Sequence, residues 1–172
     1  ASVSTHRKLR VFGNSHGFIG GYPSTSHSVS CVVLGQDEGE MQRDFWYTAA
    51  RDWRMLEDVE DVGRRAAEKA VHRLGASKLS TRKAPVLFSP DLARGLIGHF
   101  VGAIGGSAQY RRSSFLLDAK GAQVFPEAIS LMERPHLRGA LGSAPFDGEG
   151  VATRDRELVV NGVLDGYLLD SY

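Results

Sequence analysis

With a single cysteine, Cys31, among its 172 residues, the chain can form no internal disulfide and must hold its fold by packing alone. Cys31 sits in the alternating run Ser28-Val-Ser-Cys-Val-Val-Leu34, where it reads as a small apolar strand residue rather than a nucleophile or metal ligand. That usage suits a reducing, cytoplasmic setting. Long apolar runs are missing as well. No window approaches the roughly 18 apolar residues that a membrane-spanning helix needs, and the first residues lack the charged-then-apolar order of a signal peptide. Neither sign of charge is in surplus: Lys plus Arg number 21 against 20 Asp plus Glu, for a formal net charge of +1. No lysine/arginine run marks a surface for nucleic acid or anionic lipid. Nucleic acid and membranes are therefore not expected as partners.

What is present is the material of a folded protein. A hydrophobic content of 42% with 24% charged residues is ordinary for a globular chain, and the length allows one domain or two small ones. The chain opens at Ala1 inside a polar stretch and stops at Tyr172 directly after an apparent strand. It reads as a fragment of a longer polypeptide.

Residues 7 to 50 alternate in the manner of antiparallel strands, with Leu9, Val11, Val29, Cys31 and Val33 between polar neighbours. Glycines 13, 17, 20, 21, 35 and 39 with Pro23 are read as the turns between them. From Asp58 to Leu74 the period changes, since Val59, Val62, Ala66, Ala70 and Leu74 recur every three or four residues. This is an amphipathic helix with Asp58 as its N-cap and Gly75 as its end. The polar stretch 76–85 reads as a linker. A second unit then opens with a short strand, Val86-Leu-Phe88, and a helix led by Ser89 and Pro90. Ala128–Met132 reads as another strand, and Asn161-Gly162 is the two-residue turn of a hairpin. The mixed order predicts an α+β fold rather than a doubly wound sheet, with a middle domain over 1–83 and the first part of a second α+β domain over 84–172.

Three motifs carry candidate chemistry. Gly13-Asn-Ser-His-Gly17 matches the G-x-S-x-G pattern of hydrolases, but Phe18-Ile-Gly-Gly-Tyr-Pro follows it. A nucleophile elbow requires a helix there, so a hairpin turn is the better reading. On the helix after Pro90, at about 100° per residue, Leu92, Ala93, Leu96, Phe100 and Ile104 fall within about 120° and predict a core-facing stripe. His99 lies at its edge, about 60° from Leu96, within reach of a groove. A helical zinc site wants a glutamate beside the first histidine and a second histidine one turn on; Phe100 and Ala103 stand there instead. Asp147 and Glu149 in Phe146-Asp-Gly-Glu-Gly150 can be read as an acid/base pair or as a glycine-rich structural turn. The other histidines (6, 16, 27, 72 and 136) form no pair with ligand spacing.

Met41-Gln-Arg-Asp-Phe-Trp-Tyr47, the helix bearing His99, Tyr110-Arg-Arg-Ser-Ser-Phe-Leu-Leu-Asp118, Phe146–Thr153 and Asn161–Tyr167 together resemble the TldD/PmbA (TldE) family of bacterial metallopeptidases, on its PmbA/TldE branch. The resemblance covers nearly the whole chain. It implies that the TldD branch carries H-E-x-x-x-H on this helix and binds zinc with a later cysteine. In this sequence those places read His99, Phe100 and Ile104. One imidazole cannot hold zinc at useful affinity, and a phenyl ring cannot take a proton from water. The resemblance therefore implies a noncatalytic subunit with no cofactor of its own. Zinc is expected in a TldD-type partner, and short unfolded peptides are the substrates of the complex. A homodimer is the state implied when that partner is absent. His99, Phe100, Phe146, Asp147, Glu149 and Gly150 are expected near the substrate, with no catalytic or metal-binding residue in the chain. Members of the family have also been linked to the control of gyrase and of toxin–antitoxin systems, so the alternative is an interaction or regulatory module with no part in proteolysis.

Overall fold

Alternation over the first fifty residues produces one antiparallel sheet in the computed structural model of the chain, which describes residues 1–171. Its strands are β1 (Ser2–Gly13), β2 (Ile19–Asp37) and β3 (Glu40–Ala50), in that order. Gly13 pairs with Ile19 across one tight connection and Asp37 with Glu40 across the other. The glycines at 17 and 39 take positive φ in these connections, as expected of turns. Gly20, Gly21, Pro23 and Gly35 do not. All four lie within β2, so the turns expected at them are corrected to a continuous 19-residue strand. At Pro23 the strand has one neighbour only, because β3 pairs from His27 onward, and the missing N–H interrupts no second ladder. A Cβ on Gly21 would stand 2.9 Å from the Arg10 carbonyl oxygen; the glycine serves a close backbone approach, not a turn.

Helix α1 (Val59–Val71) covers part of one sheet face. Asp58 caps it, accepting from the Glu60 N–H at 2.8 Å, and Glu60 and Asp61 complement the helix dipole in the first turn. Val62, Ala66 and Ala70 are fully buried, while Val59, expected in the same stripe, remains exposed. The small alanines leave limited apolar area, and a ring of long side chains supplements it. The Lys69 ammonium lies 5.1 Å from the Trp46 ring centroid and the Arg65 guanidinium 5.3 Å from it, within cation–π range. Trp46 Nε1 donates to Glu57 at 3.2 Å. Asp44 faces Arg73 at 3.3 Å and Lys69 at 3.7 Å. The Phe45 N–H, then Arg73 and Lys69, hold its carboxyl below the ordinary range despite an opposing desolvation.

The second unit contains α2 (Pro90–Ala103), α3 (Gly106–Tyr110) and a small antiparallel sheet of β4 (Leu131–Glu133), β5 (Arg156–Val160) and β6 (Val163–Leu164). Asn161 and Gly162 take φ of 47° and 80°, so the expected hairpin turn is present. Gly162 is also crowded: a Cβ there would stand 2.2 Å from the Phe125 carbonyl oxygen. Two expectations change. Val86–Phe88 is not a strand; it is unpaired, with Leu87 98% exposed. The strand expected over Ala128–Met132 narrows to β4, where cross-strand pairing with β5 begins only at Leu131. Phe100, Ile104, Leu116, Leu158, Val159 and Leu164 anchor the buried core of this unit. The architecture is α+β with antiparallel sheets.

The chain forms two compact units. The first comprises Ala1–Thr81 and also Leu137–Ser143, and the second the remaining residues from Arg82. The physical cause is Arg51, at the end of β3. Its guanidinium donates to the carbonyl oxygens of Thr25 (3.1 Å), Ala140 (3.3 Å) and Leu141 (2.6 Å). Thr25 Oγ1 returns a bond to the Arg51 carbonyl at 2.7 Å. The bonds to Ala140 and Leu141, with a longer one to the Ser143 carbonyl at 3.5 Å, thus tie a seven-residue segment to the sheet. Arg51→Met leaves these carbonyls unpaired, with an expected loss of about 1–3 kcal/mol; tryptic cleavage after Arg138 is expected to accelerate at least several-fold, read by mass spectrometry over time.

Asp52 caps the short 3-10 turn Trp53–Met55 by accepting from the Arg54 N–H, and pairs with the Arg54 guanidinium at 2.6 Å. The Arg54 side chain, then its backbone N–H, lower the Asp52 pKa from 3.8 to about 2. A lowered carboxyl contributes stability that is present above its ordinary value and lost as pH falls from about 4 toward 2. In an NMR titration of the side-chain carboxyl, Arg54→Gln is expected to move the Asp52 midpoint back toward the ordinary value.

Candidate functional site

Helix α2 carries His99, which borders a cavity of the second unit. The core-facing stripe expected along this helix holds only in its last turns. Phe100 is 5% exposed and Ile104 fully buried, whereas Leu92 and Leu96 remain 66% and 49% exposed. The end of α2 is held by side chains from the following segment, since Gln109 Nε2 and Ser114 Oγ both donate to the Ala103 carbonyl, at 2.6 and 2.7 Å. These bonds satisfy a carbonyl that a helix end would otherwise leave free. The Ile104 carbonyl accepts from the Leu168 N–H at 2.9 Å, which joins the helix end to the last part of the chain.

His99 is exposed and borders a groove of about 190 Å³ with Leu96, Phe100, Phe115, Leu116 and Phe125. Phe100 and Phe125 meet edge to face, with centroids 5.0 Å apart. Sequence reasoning missed Phe115, Phe125 and Tyr167. The Tyr167 hydroxyl donates to the Leu116 carbonyl at 2.9 Å and accepts from the Ala119 N–H at 2.7 Å, fixing the wall opposite the helix. The aromatic residues were visible in the sequence, but they fall in irregular segments where no periodicity assigns them a face. On its other side α2 offers Ile97 and Val101 to a second groove, of about 270 Å³, completed by Leu131, Met132 and Leu158. This groove runs beside β4, an edge strand of its sheet.

The acidic loop lines neither groove. Phe146 is buried and bridges to Ala152. Asp147 Oδ1 accepts from the N–H groups of Glu149 (2.9 Å) and Val151 (3.0 Å), and Gly150 takes φ of 86°. Glu149 Oε2 accepts from the Ser171 N–H at 2.8 Å. Both carboxylates are thus engaged in fastening backbone, as in a structural turn. Of the residues singled out in the sequence, the structure brings His99 and Phe100 to one groove and sets Phe146, Asp147, Glu149 and Gly150 in a separate turn. Ser15 lies in the β1–β2 connection and precedes no helix, so the hydrolase elbow is ruled out by its surroundings. His27 meets Thr5 across the strands at 3.2 Å, and His136 meets Thr153 at 3.0 Å.

The donor set at α2 does not fit a zinc ion. Phe100 and Ile104 present only carbon and are part of the buried core, and His99 alone offers one lone pair where a tetrahedral site requires several. Among the described residues no group of three or more His, Cys, Asp or Glu side chains converges.

Two family models match the chain: the PmbA/TldA metallopeptidase central domain over residues 1–74 and the PmbA/TldA metallopeptidase C-terminal domain over residues 81–172. The chain is 49% identical over its whole length to the metalloprotease PmbA homolog of Haemophilus influenzae. It is 47% identical, over 99% of its length, to metalloprotease PmbA of Escherichia coli O157:H7. It spans 38% of the length of each of these relatives. A crystal structure from Bacteroides thetaiotaomicron, of a protein whose name proposes it as a modulator of DNA gyrase, superposes with a TM-score of 0.92 at 28% identity, over 98% of this chain and 38% of that one. TldE from Thermococcus kodakarensis shares the fold, with a TM-score of 0.72 at 23% identity over 98% of this chain and 38% of that one.

Because Ile104 is fully buried, Ile104→Ala is expected to cost about 2–5 kcal/mol. Ile104→His is expected to destabilise as well, by placing a polar ring among carbon atoms. Chemical denaturation of the two variants beside the parent measures both.

Proposed function

The chain belongs to the PmbA/TldA metallopeptidase family, and from that premise we propose that it is part of a noncatalytic, PmbA/TldE-type subunit of a zinc peptidase complex. In this reading the metal resides in a TldD-type partner, and the complex cleaves short or unfolded peptides in the cytoplasm. One observation carries the proposal: the two places beside His99 at which the resemblance implies a base and a second ligand hold Phe100 and Ile104, both buried in hydrocarbon core. No donor can be recovered there by rotating a side chain.

The contribution assigned to this subunit is shape. An extended peptide can join an exposed strand edge through main-chain hydrogen bonds, a mode that tolerates varied side chains. The edge strand β4 and the apolar groove between it and α2 support that role, and the His99 groove supplies a second apolar wall. No helix among the described residues is long and apolar enough to cross a membrane. A second reading, an interaction module without proteolysis, is favoured by the gyrase-modulator name of the Bacteroides thetaiotaomicron protein.

The test is peptide degradation by the full-length protein alone and after addition of a TldD-type subunit, with and without chelator. Cleavage is expected only in the mixture and is expected to stop when chelator is added. No cleavage in a mixture whose TldD-type subunit is loaded with zinc supports the interaction module. Chelator-sensitive cleavage by the protein alone, or zinc near one equivalent per isolated chain, overturns the proposal.

A further inference from the structure

We propose that the first unit holds a binding site for an oxyanion, a carboxylate or phosphate group, in the cavity between the early part of β2 and the Leu137–Ser143 segment. The cavity measures about 340 Å³; Tyr22, Ser24, Thr25, Arg51, Arg138 and Ser143 supply its polar lining, and no Asp or Glu contributes to it. Its charge is therefore of one sign. Arg51 spends its N–H groups on the carbonyl oxygens of Thr25, Ala140 and Leu141. These are neutral acceptors that orient the guanidinium without cancelling its charge. Arg138 projects from the segment that Arg51 holds, is exposed, and has no ion-pair or hydrogen-bond partner among the described residues.

The adjacent strand offers a third cation, outside the cavity lining itself. Lys8 stands directly across from Ser24 in the β1–β2 ladder, and directly opposed residues emerge on one face of a sheet. Lys8 also lacks a partner among the described residues. Like charges around one concavity repel each other, and a bound anion relieves that repulsion while accepting charge-assisted hydrogen bonds from a guanidinium. The division of labour is physical: Arg51 is fixed and provides a permanent positive wall, and Arg138 is free to close on the ligand. With an overall net charge of only +1, the chemistry suits a single anionic group rather than a polyanion. Binding here requires nothing of the peptidase reading.

Isothermal titration of the full-length protein at low ionic strength tests the site with two probes, inorganic phosphate and an N-acetylated trialanine with either a free or an amidated C-terminus. Either phosphate or the free-carboxylate peptide is expected to bind, and the amide to bind at least tenfold more weakly than the free acid if the carboxylate is the ligand. The stronger of the two probes identifies the source of the oxyanion. Arg138→Gln lies on an exposed side chain outside the carbonyl clamp and is expected to weaken binding about tenfold or more, with Lys8→Gln weakening it less and the circular dichroism of both unchanged. Absence of binding by both probes, or binding that Arg138→Gln leaves unaltered, overturns the proposal.

Discussion

The last turns of α2 bury Phe100, Ala103 and Ile104 against Leu116, Leu158, Val159 and Leu164, and the arrangement of the second unit depends on that contact. Ile104, Val159 and Leu164 are completely removed from water. Ile104 comes from the end of α2, while Val159 and Leu164 are partners across the short β5–β6 hairpin, so hydrophobic burial joins the helix to a ladder too short to hold the unit by itself. The hydrogen bonds at the helix end and the Ile104–Leu168 bond set the direction in which the helix leaves the core. His99 is placed on the exposed side as a result.

This constraint bears directly on chemistry. A side chain cannot serve both as a metal ligand and as a close-packed core hydrocarbon. Phe100 and Ile104 are core hydrocarbon, and His99 beside them borders an aromatic groove. The two grooves flanking α2 are apolar walls with few polar groups. The acidic loop tells a similar story, since its carboxylates accept from backbone N–H groups and thereby close a turn.

The first unit is fastened differently. Its helix meets the sheet through alanines, and charged side chains around Trp46 and Asp44 complete the contact. Exposed pairs of this type contribute modestly one by one, and here they converge on one indole and one carboxylate. Arg51 extends the same principle to a segment distant in sequence, replacing apolar burial with carbonyl contacts to a fixed guanidinium. That segment is short and its Leu137 and Leu141 stay about half exposed, so hydrogen bonding does much of the holding.

Local signals sufficed wherever a few adjacent residues decide the outcome. Asp58 as a cap, the three-and-four spacing to Ala70, the Asn161-Gly162 turn, the α+β class and the family motifs were all legible in the sequence. So was the poverty of donors around His99, because residue type alone excludes phenyl and butyl groups as ligands. Tertiary structure decided what depends on distant neighbours. Gly20, Gly21, Pro23 and Gly35 look like turns in isolation, yet pairing carries β2 through them. Val86–Phe88 looks like a strand but has no partner edge among the described residues, and half of the α2 stripe stays exposed because nothing in the described residues covers it. The carbonyl clamp at Arg51 joins positions some ninety residues apart, and no periodicity encodes such a contact: a guanidinium binds whichever carbonyl oxygens the fold brings within reach.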